Sequence, residues 1–317
     1  MKLSADDLKL DNLKQTLDAI DKENHEKAGA SLLTYPVRGI LKVKTENLTY
    51  QKFTWSPFYA DVSLGDGTIE VAITEANLCG IDTAGIVRIS PQELQVDVKP
   101  LAQNQNLHSA IYCLLDKSVA VDGNFNLKGS ITALGTRESL LRSLNGNLDL
   151  AATKGRFYSG RFYNTLTKIF ALLDVSQIFK GKLPDIAAKG FGYNSFQAKV
   201  NIQNDKLTLN KMIIDGTSME IVGQGSIDLI NKQVDALALV APFKTIDLLV
   251  KKVPIVKDIL EGSLISVPFR ITGNLENPKV TPLSPSAVGS GLLGIMKRTL
   301  QLPVQIIQPF IFGGEKN

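Results

Sequence analysis

Residues that could carry chemistry are scarce in this chain of 317 residues, which has two cysteines and two histidines. Cys79 and Cys113 form no Cys-x-x-Cys pair and have no histidine cluster beside them, so we expect no zinc site. Two alternatives remain for them: two buried free thiols, or one disulfide in an oxidising compartment. Neither His25 nor His108 has a triad partner in its neighbourhood, and we interpret both as structural.

One segment matches the glycine-rich motif of dinucleotide-binding proteins in its residue pattern alone. Gly289-Ser290-Gly291-Leu292-Leu293-Gly294 fits G-x-G-x-x-G, but it follows a proline-rich stretch and has no acidic residue about 20 positions further on. We interpret it as the lead-in to a helix. The carboxylates fall mostly on the polar faces of predicted strands, although folding could still pair two of them as in a glycosidase. The sequence therefore predicts a non-enzyme with no cofactor and no metal.

Composition narrows the class of protein further. The net charge is +4, 44% of the residues are hydrophobic and 21% are charged. These values exclude a disordered polymer and a strongly basic nucleic-acid binder. The mean hydropathy is +0.05, yet the charge-free stretch 299–312 is shorter than the roughly 20 residues that cross a bilayer. The apolar residues must therefore be accommodated by the fold.

The elements that must position these residues are mainly strands. Apolar and polar residues alternate with period two, which predicts an antiparallel sheet with one apolar face. The apolar positions are Ile69, Val71, Ile73, Leu94, Val96, Val98, Phe125, Leu127, Ile131, Val200, Ile202, Leu207, Leu209, Leu237 and Leu239. Turn residues separate the strands at Gly65-Asp66-Gly67, Ser90-Pro91, Asn204-Asp205, Asp215-Gly216 and Asn231-Lys232.

Helical spacing occurs in fewer places. Leu166, Ile169, Phe170 and Leu173 form an apolar stripe with i, i+3, i+4, i+7 spacing. The sequence predicts helices over 8–20, 137–144, 165–179 and 245–260, and an amphipathic helix in the C-terminal tail, 284–317. That tail either packs onto the sheet or lies at a membrane interface. We expect three parts: a helix and lead-in over 1–34, a β-domain over 35–283, and the tail.

Three segments form a recognisable series by their order along the chain. They are Ser139–Leu150 with Gly155-Arg156-Phe157, then Asp215–Leu229 with Val234–Pro242, and finally Val253–Gly262 with Phe269–Gly273 and Asn277–Val280. Together they resemble the C-terminal region of the AsmA-like family of bacterial envelope proteins, and the likeness covers roughly residues 35–310.

The resemblance implies a fold and a function. The implied fold is mainly β, an extended and twisted antiparallel sheet curled into an open apolar groove. The implied function is non-enzymatic movement of phospholipid between the inner and outer membranes, with acyl chains in the groove. The alternative is a structural or assembly scaffold that acts through contacts with envelope proteins.

The resemblance also implies a location and a site. Family members begin with a membrane-anchoring helix that this chain lacks, so we expect a periplasmic C-terminal part of a longer protein anchored in the inner membrane. In that compartment the Cys79–Cys113 disulfide is the favoured alternative. The alternating positions from Ile69 to Ile131, with Leu207, Leu209, Leu237 and Leu239, are the expected groove lining. The Leu166–Leu173 stripe is expected to close the groove end, and the C-terminal tail is a candidate membrane contact.

Overall fold

The computed structural model describes residues 2–11, 38–65, 67–115, 119–136, 139–173, 189–217, 219–241 and 266–301. Within them, sixteen strands form one mixed sheet. The strands are β1 (Lys2–Lys9), β2 (Gly39–Tyr50), β3 (Phe53–Gly65), β4 (Thr68–Leu78), β5 (Ile81–Asp82), β6 (Gly85–Ile89), β7 (Leu94–Val98), β8 (Leu101–Asn106), β9 (Val121–Gly135), β10 (Asn145–Phe157), β11 (Phe191–Gln203), β12 (Lys206–Gly216), β13 (Glu220–Asp228), β14 (Gln233–Ala241), β15 (Val267–Asn274) and β16 (Lys279–Pro282).

Three short α-helices accompany these strands in the described part of the chain. They are α1 (Leu107–Leu114), α2 (Arg161–Leu172) and α3 (Ser290–Gln301), and 3-10 helices span Leu140–Ser143 and Pro285–Ala287. The side chain of Asn106 caps α1 by accepting a hydrogen bond from the Ser109 N–H. The fold is therefore mainly β with a few helices, as the sequence predicts.

The sheet runs mostly in chain order. Its hydrogen-bonded path is β1-β2-β3-β4-β5-β8-β9-β10-β11-β12-β13-β14-β15-β16, while β6 pairs with β4 and β7, and β7 also pairs with β9. The expectation of a wholly antiparallel sheet is wrong at one edge, because β1 pairs with β2 in parallel, with Lys2 opposite Lys42. Parallel neighbours need a long connection, and the chain between Lys9 and Gly39 is long enough to supply one.

The chain divides into two compact units, which are described separately. Unit 1 comprises residues 1–117, 124–149 and 201–207, and unit 2 comprises 118–123, 150–200 and 208–317. Unit 1 has a core cluster of Val43, Leu48, Phe58, Ala60 and Ala76. Unit 2 has a core cluster in which Val288, Leu292 and Met296, in and before α3, pack on Val222, Leu239 and Ala241 of the sheet. The three-part division expected from the sequence stays a prediction.

The strand predictions and three of the five turn predictions are confirmed. All fifteen alternating apolar positions lie in strands β4, β7, β9, β11, β12 and β14. The turns expected near Ser90, Asn204 and Asn231 separate consecutive strands. Asp215 and Gly216 are instead the last residues of β12, and the chain turns just after them, where the Gly216 N–H donates to Met219 O. Asp66, in the turn expected over Gly65-Asp66-Gly67, lies outside the described residues. The local pattern of apolar and turn residues was thus sufficient to locate these elements.

The helix predictions had mixed outcomes. The helix expected over 137–144 is the shorter 3-10 helix Leu140–Ser143, and the one expected from 165 begins earlier, at Arg161. The C-terminal helix is confirmed as α3, with the G-x-G-x-x-G segment at its start. The helix expected to begin at residue 8 is wrong at that end, because Leu8 lies in β1 and is paired with Leu48. Residues 12–20, 174–179 and 245–260, and residues 302–317 of the predicted tail, lie outside the described residues.

Candidate functional site

One face of the sheet in unit 1 is apolar at the three positions where all six of the strands β2, β3, β4, β6, β7 and β9 are paired. Residues that face each other across strands project to the same side, so the register of β2, β3, β4, β6, β7 and β9 defines three rows, which we call the apolar rows. They are Gly39–Leu64–Ile69–Ile89–Leu94–Gly135, Leu41–Val62–Val71–Val87–Val96–Ala133 and Val43–Ala60–Ile73–Gly85–Val98–Ile131. Five strand spacings make each row about 24 Å long.

The apolar rows are only partly covered. Val43, Ala60 and Ala133 are buried, and Val43 and Ala60 belong to the core cluster of unit 1, against which Leu41, Val62, Val71 and Ile73 pack. The side chains of the rows other than the three buried ones are half-buried, including those of Val87 and Val96. Half-buried aliphatic side chains in adjoining rows leave apolar surface that another molecule can cover. The rows therefore form a continuous apolar surface with no titratable group in it.

The opposite side of the same strands is polar. Its rows are Ile40–Ser63–Glu70–Arg88–Gln95–Leu134 and Lys42–Asp61–Ala72–Ile86–Asp97–Thr132. The Arg88 Nε lies 2.6 Å from the Glu70 Oε2, and the Lys42 Nζ lies 3.9 Å from the Asp61 Oδ2. These exposed ion pairs keep this side solvated and contribute little to stability.

Nine of the thirteen expected groove residues lie on the strands that form the apolar rows. Ile69, Val71, Ile73, Leu94, Val96, Val98 and Ile131 are members of the rows. Phe125 and Leu127 precede Ile131 at every second position of β9, so they share its face, although Phe125 is buried. The structure thus brings the residues of β4, β7 and β9 together.

The remaining expected residues lie elsewhere. Leu207 and Leu209 are half-buried on β12. Leu237 and Leu239 lie on β14, where Leu239 is only 1% exposed and belongs to the core cluster under α3. On β14, in unit 2, the alternation produces a filled core. A lipid-facing role for these four residues stays a prediction.

The expected list also left out members of the apolar rows. They are Leu41, Val43, Ala60, Val62, Leu64, Val87, Ile89 and Ala133. The signal for two pairs is in the sequence, since Leu41 and Val43 alternate with lysines, and Val62 and Leu64 alternate with Asp61 and Ser63. In β6 the apolar Ile86 interrupts the alternation and hides Val87 and Ile89.

The apolar stripe of α2 faces a packed interior. Leu166, Ile169, Phe170 and Leu173 are all buried, and the ring centroids of Phe170 and Phe191 are 5.7 Å apart. On its other side, the Arg161 Nε lies 2.6 Å from the Glu276 Oε2, and the Lys168 Nζ donates to Pro278 O at 2.8 Å. The helix is therefore docked onto unit 2, and its role at a groove end stays a prediction.

A disulfide joins Cys79 and Cys113, whose Cα atoms are 5.8 Å apart. Cys79 lies in the turn after β4, and Cys113 lies in the last turn of α1. Of the two alternatives left open by the sequence, the structure contains the bonded pair. It ties α1 to the end of β4 within unit 1.

An aromatic cluster explains part of the first family-like segment. The Tyr193 ring lies over Gly123 and Gly155, where a Cβ on Gly155 would overlap the ring. Its hydroxyl donates to Asp122 O at 2.7 Å, and its ring centroid is 5.1 Å from that of Phe157. Burial and, to a smaller extent, the Asp122 charge raise the pKa of Tyr193 to about 12. Gly155 and Phe157 thus serve packing in unit 2.

The described residues also bear on metal binding and on membrane spanning. In that part of the chain no group of three or more histidine, cysteine, aspartate or glutamate side chains could hold a metal ion. None of its helices is long and apolar enough to cross a membrane. The apolar rows are therefore the candidate site that the described residues offer.

The comparison with known families agrees with this architecture. A mostly β chain with one large sheet is what the AsmA-like envelope proteins would lead us to expect, and the matching family model belongs to that group. The model, described as YhdP protein, matches residues 97–280, which is more than half of the chain. The chain belongs to the YhdP protein family, a family of non-enzymatic envelope proteins. No curated protein and no solved structure matches it.

Proposed function

We propose that this chain is a non-enzymatic, lipid-binding segment of a periplasmic protein that carries phospholipid between the inner and outer membranes. The apolar rows are the observation that supports this proposal most strongly. They offer eighteen aligned positions without a polar side chain. Such a surface matches the acyl chains of a lipid, and family membership supports the envelope location.

The energetics of this surface suit a cargo that must be held and then released. Each methylene moved from water to an apolar surface contributes about 0.8 kcal/mol, so a chain of about 14 methylenes gains on the order of 10 kcal/mol at full burial. An acyl chain in contact with half-buried rows is only partly removed from water, so it gains only part of this free energy. Because dispersion and hydrophobic contacts have no preferred direction, a lipid can shift along the rows without breaking a specific bond.

The alternative function is a structural or assembly scaffold that presents its apolar surface to envelope proteins. The packing of α3 on Val222 and Leu239 favours it for that part of unit 2, because a filled core there leaves no room for an acyl chain. The half-buried aliphatic side chains of the apolar rows in unit 1 favour the lipid-binding function. We therefore assign lipid binding to unit 1 and test it there.

The test is lipid content after purification from an envelope in which the chain was exported. We expect organic extraction and mass spectrometry to find phospholipid in stoichiometric amount. Val87→Gln places an amide in the middle apolar row, opposite Val71 and Val96. Since an unpaired amide against hydrocarbon costs about 1–3 kcal/mol, we expect the bound lipid to fall about tenfold.

The neighbouring residue supplies a matched control. Ile86 is also aliphatic and half-buried on β6, but it faces the polar side, opposite Ala72 and Asp97. Ile86→Gln should leave the lipid content unchanged. Lipid-free protein, or an equal loss in both variants, would contradict lipid binding at the apolar rows and favour the scaffold.

A further inference from the structure

The turn between β13 and β14 carries two exposed aliphatic side chains where other turns are polar. Leu229 is 39% exposed and Ile230 is 44% exposed, and both belong to the four-residue turn Leu229–Lys232. The corresponding positions of other described turns are Gln51-Lys52 after β2 and Asn204-Asp205 after β11. Turns favour polar residues and glycine, so an adjacent Leu-Ile pair at a turn is unexpected.

The backbone of this turn is already hydrogen-bonded within the protein. The Asp228 Oδ1 accepts from the N–H groups of Ile230 and Asn231 at 3.0 and 2.7 Å. The Asp228 Oδ2 accepts from the Asn231 side-chain amide at 2.8 Å. Moving a loop out of water costs free energy when its N–H groups lack hydrogen-bond partners. In this turn the N–H groups of Ile230 and Asn231 keep their bonds to Asp228 wherever the turn is placed.

A second turn extends the same edge of unit 2. The Leu275 N–H, just after β15, donates to Lys232 O at 2.8 Å, which holds the two turns side by side. The N–H groups of Glu276 and Asn277 are bonded to Asn274 at 2.8 and 3.1 Å. Leu275 is half-buried and adds a third aliphatic residue to this edge.

The basic side chains beside these turns outnumber the acidic ones, which are Asp228 and Glu276. Lys232 ends the first turn and Lys279 follows the second, while Lys168 binds Asn277 and Pro278. The Glu276 carboxylate is bound by Arg161. Basic side chains beside an apolar tip complement anionic headgroups, because lysines remain at the headgroup level while aliphatic side chains enter the hydrocarbon boundary.

We propose that the turns 229–232 and 275–278 form a contact site for the surface of an anionic phospholipid bilayer. Leu229 and Ile230 insert at the boundary between headgroups and acyl chains, and Lys232 and Lys279 face the phosphates. The site is separate from the apolar rows, and it requires a bilayer surface rather than an extracted lipid.

The test is flotation of the purified full chain with vesicles. Vesicles of phosphatidylglycerol and phosphatidylcholine should bind the chain more tightly than vesicles of phosphatidylcholine alone. The double variant Leu229→Ser, Ile230→Ser should lower binding about tenfold, since about half of each side chain's transfer free energy is lost. Lys232→Asn removes the charge and suits the positive φ of 52° at this residue. It should weaken binding to the anionic vesicles only, about fivefold.

Leu141 supplies the matched control, because it is 68% exposed but lies in the 3-10 helix between β9 and β10. Leu141→Ser should leave vesicle binding unchanged. No binding by the unmodified chain, or an equal loss with Leu141→Ser, would overturn the proposed contact site and favour a protein partner or unspecific adsorption. Val87→Gln separates the two proposals, because it should lose co-purified lipid while still binding vesicles.

Discussion

In unit 1, half-buried aliphatic rows lie on one face of six strands, whereas in unit 2 helix α3 covers sheet residues such as Val222 and Leu239. Both surfaces come from the same period-two pattern. In unit 2 the described helix α3 packs on that face, whereas the described row residues of unit 1 are mostly half-buried. The comparison shows that alternation specifies an apolar face, while the element that covers it decides between a core and a binding surface.

The largest expected effect separates the two units by a matched pair of substitutions. Leu239→Ala removes a side chain that is 1% exposed and packed under α3, so we expect the free energy of unfolding of unit 2 to fall by about 4 kcal/mol. Leu94→Ala removes a half-buried side chain of the apolar rows and should cost unit 1 about 1 kcal/mol.

Hydrogen exchange in urea measures this pair, because it gives the opening free energy separately at the amides of β7, which carries Leu94, and of β14, which carries Leu239. Equal losses at Leu94 and Leu239 would mean that the apolar rows are a covered core. The distinction between the two units would then be wrong.

A second prediction concerns the disulfide, which is confined to unit 1. Cys79 and Cys113 are separated by 34 positions, and breaking a disulfide that closes a loop of this size should destabilise unit 1 by about 3.8 kcal/mol. Reduction should accelerate hydrogen exchange in α1, Leu107–Leu114, and leave α2 and α3 unchanged. The double variant Cys79→Ser, Cys113→Ser should reproduce the effect without reductant, and no change in α1 would contradict it.

Much of this fold was predictable, and the parts that were not have physical reasons. The positions of strands such as β4 and β7 follow from the alternation of apolar and polar residues, to within a few residues at each end. Their register does not, because it depends on how turns and bulges align distant strands. β1 was missed because an exposed edge strand with the sequence Lys-Leu-Ser-Ala-Asp-Asp-Leu-Lys shows little alternation.

The candidate site was predictable in part for the same reason. Leu94 and Leu239 have similar local patterns, and only the non-local packing of Leu292 and Met296 on β14 distinguishes their environments. The glycine and aromatic residues of the family-like segment gave no sign from the sequence alone that Gly155 makes room for Tyr193. A local sequence pattern carries no information about contacts between residues that are far apart in the chain.

The smallest expected effect at neutral pH concerns the Tyr193 hydroxyl in unit 2. Tyr193→Phe removes its hydrogen bond to Asp122 O and should cost about 1 kcal/mol at neutral pH. The pKa of Tyr193 is raised from 10.0 to about 12 in the folded state. Below pH 10 the hydroxyl is protonated in both states, so its contribution is complete.

Between pH 10 and pH 12 the Tyr193 hydroxyl ionises in the unfolded chain but not in the folded protein. The free energy of unfolding therefore falls by about 3 kcal/mol as the pH rises over this interval. Comparison with the Tyr193→Phe variant separates the contribution of the Tyr193 hydroxyl from those of other groups that titrate in the same range. The unfolding free energy of the variant should decline less steeply over this interval than that of the unmodified chain. The two plots of unfolding free energy against pH should therefore converge and cross. Parallel curves would mean that the Tyr193 hydroxyl is solvated, and that unit 2 is as open at this cluster as unit 1 is at its apolar rows.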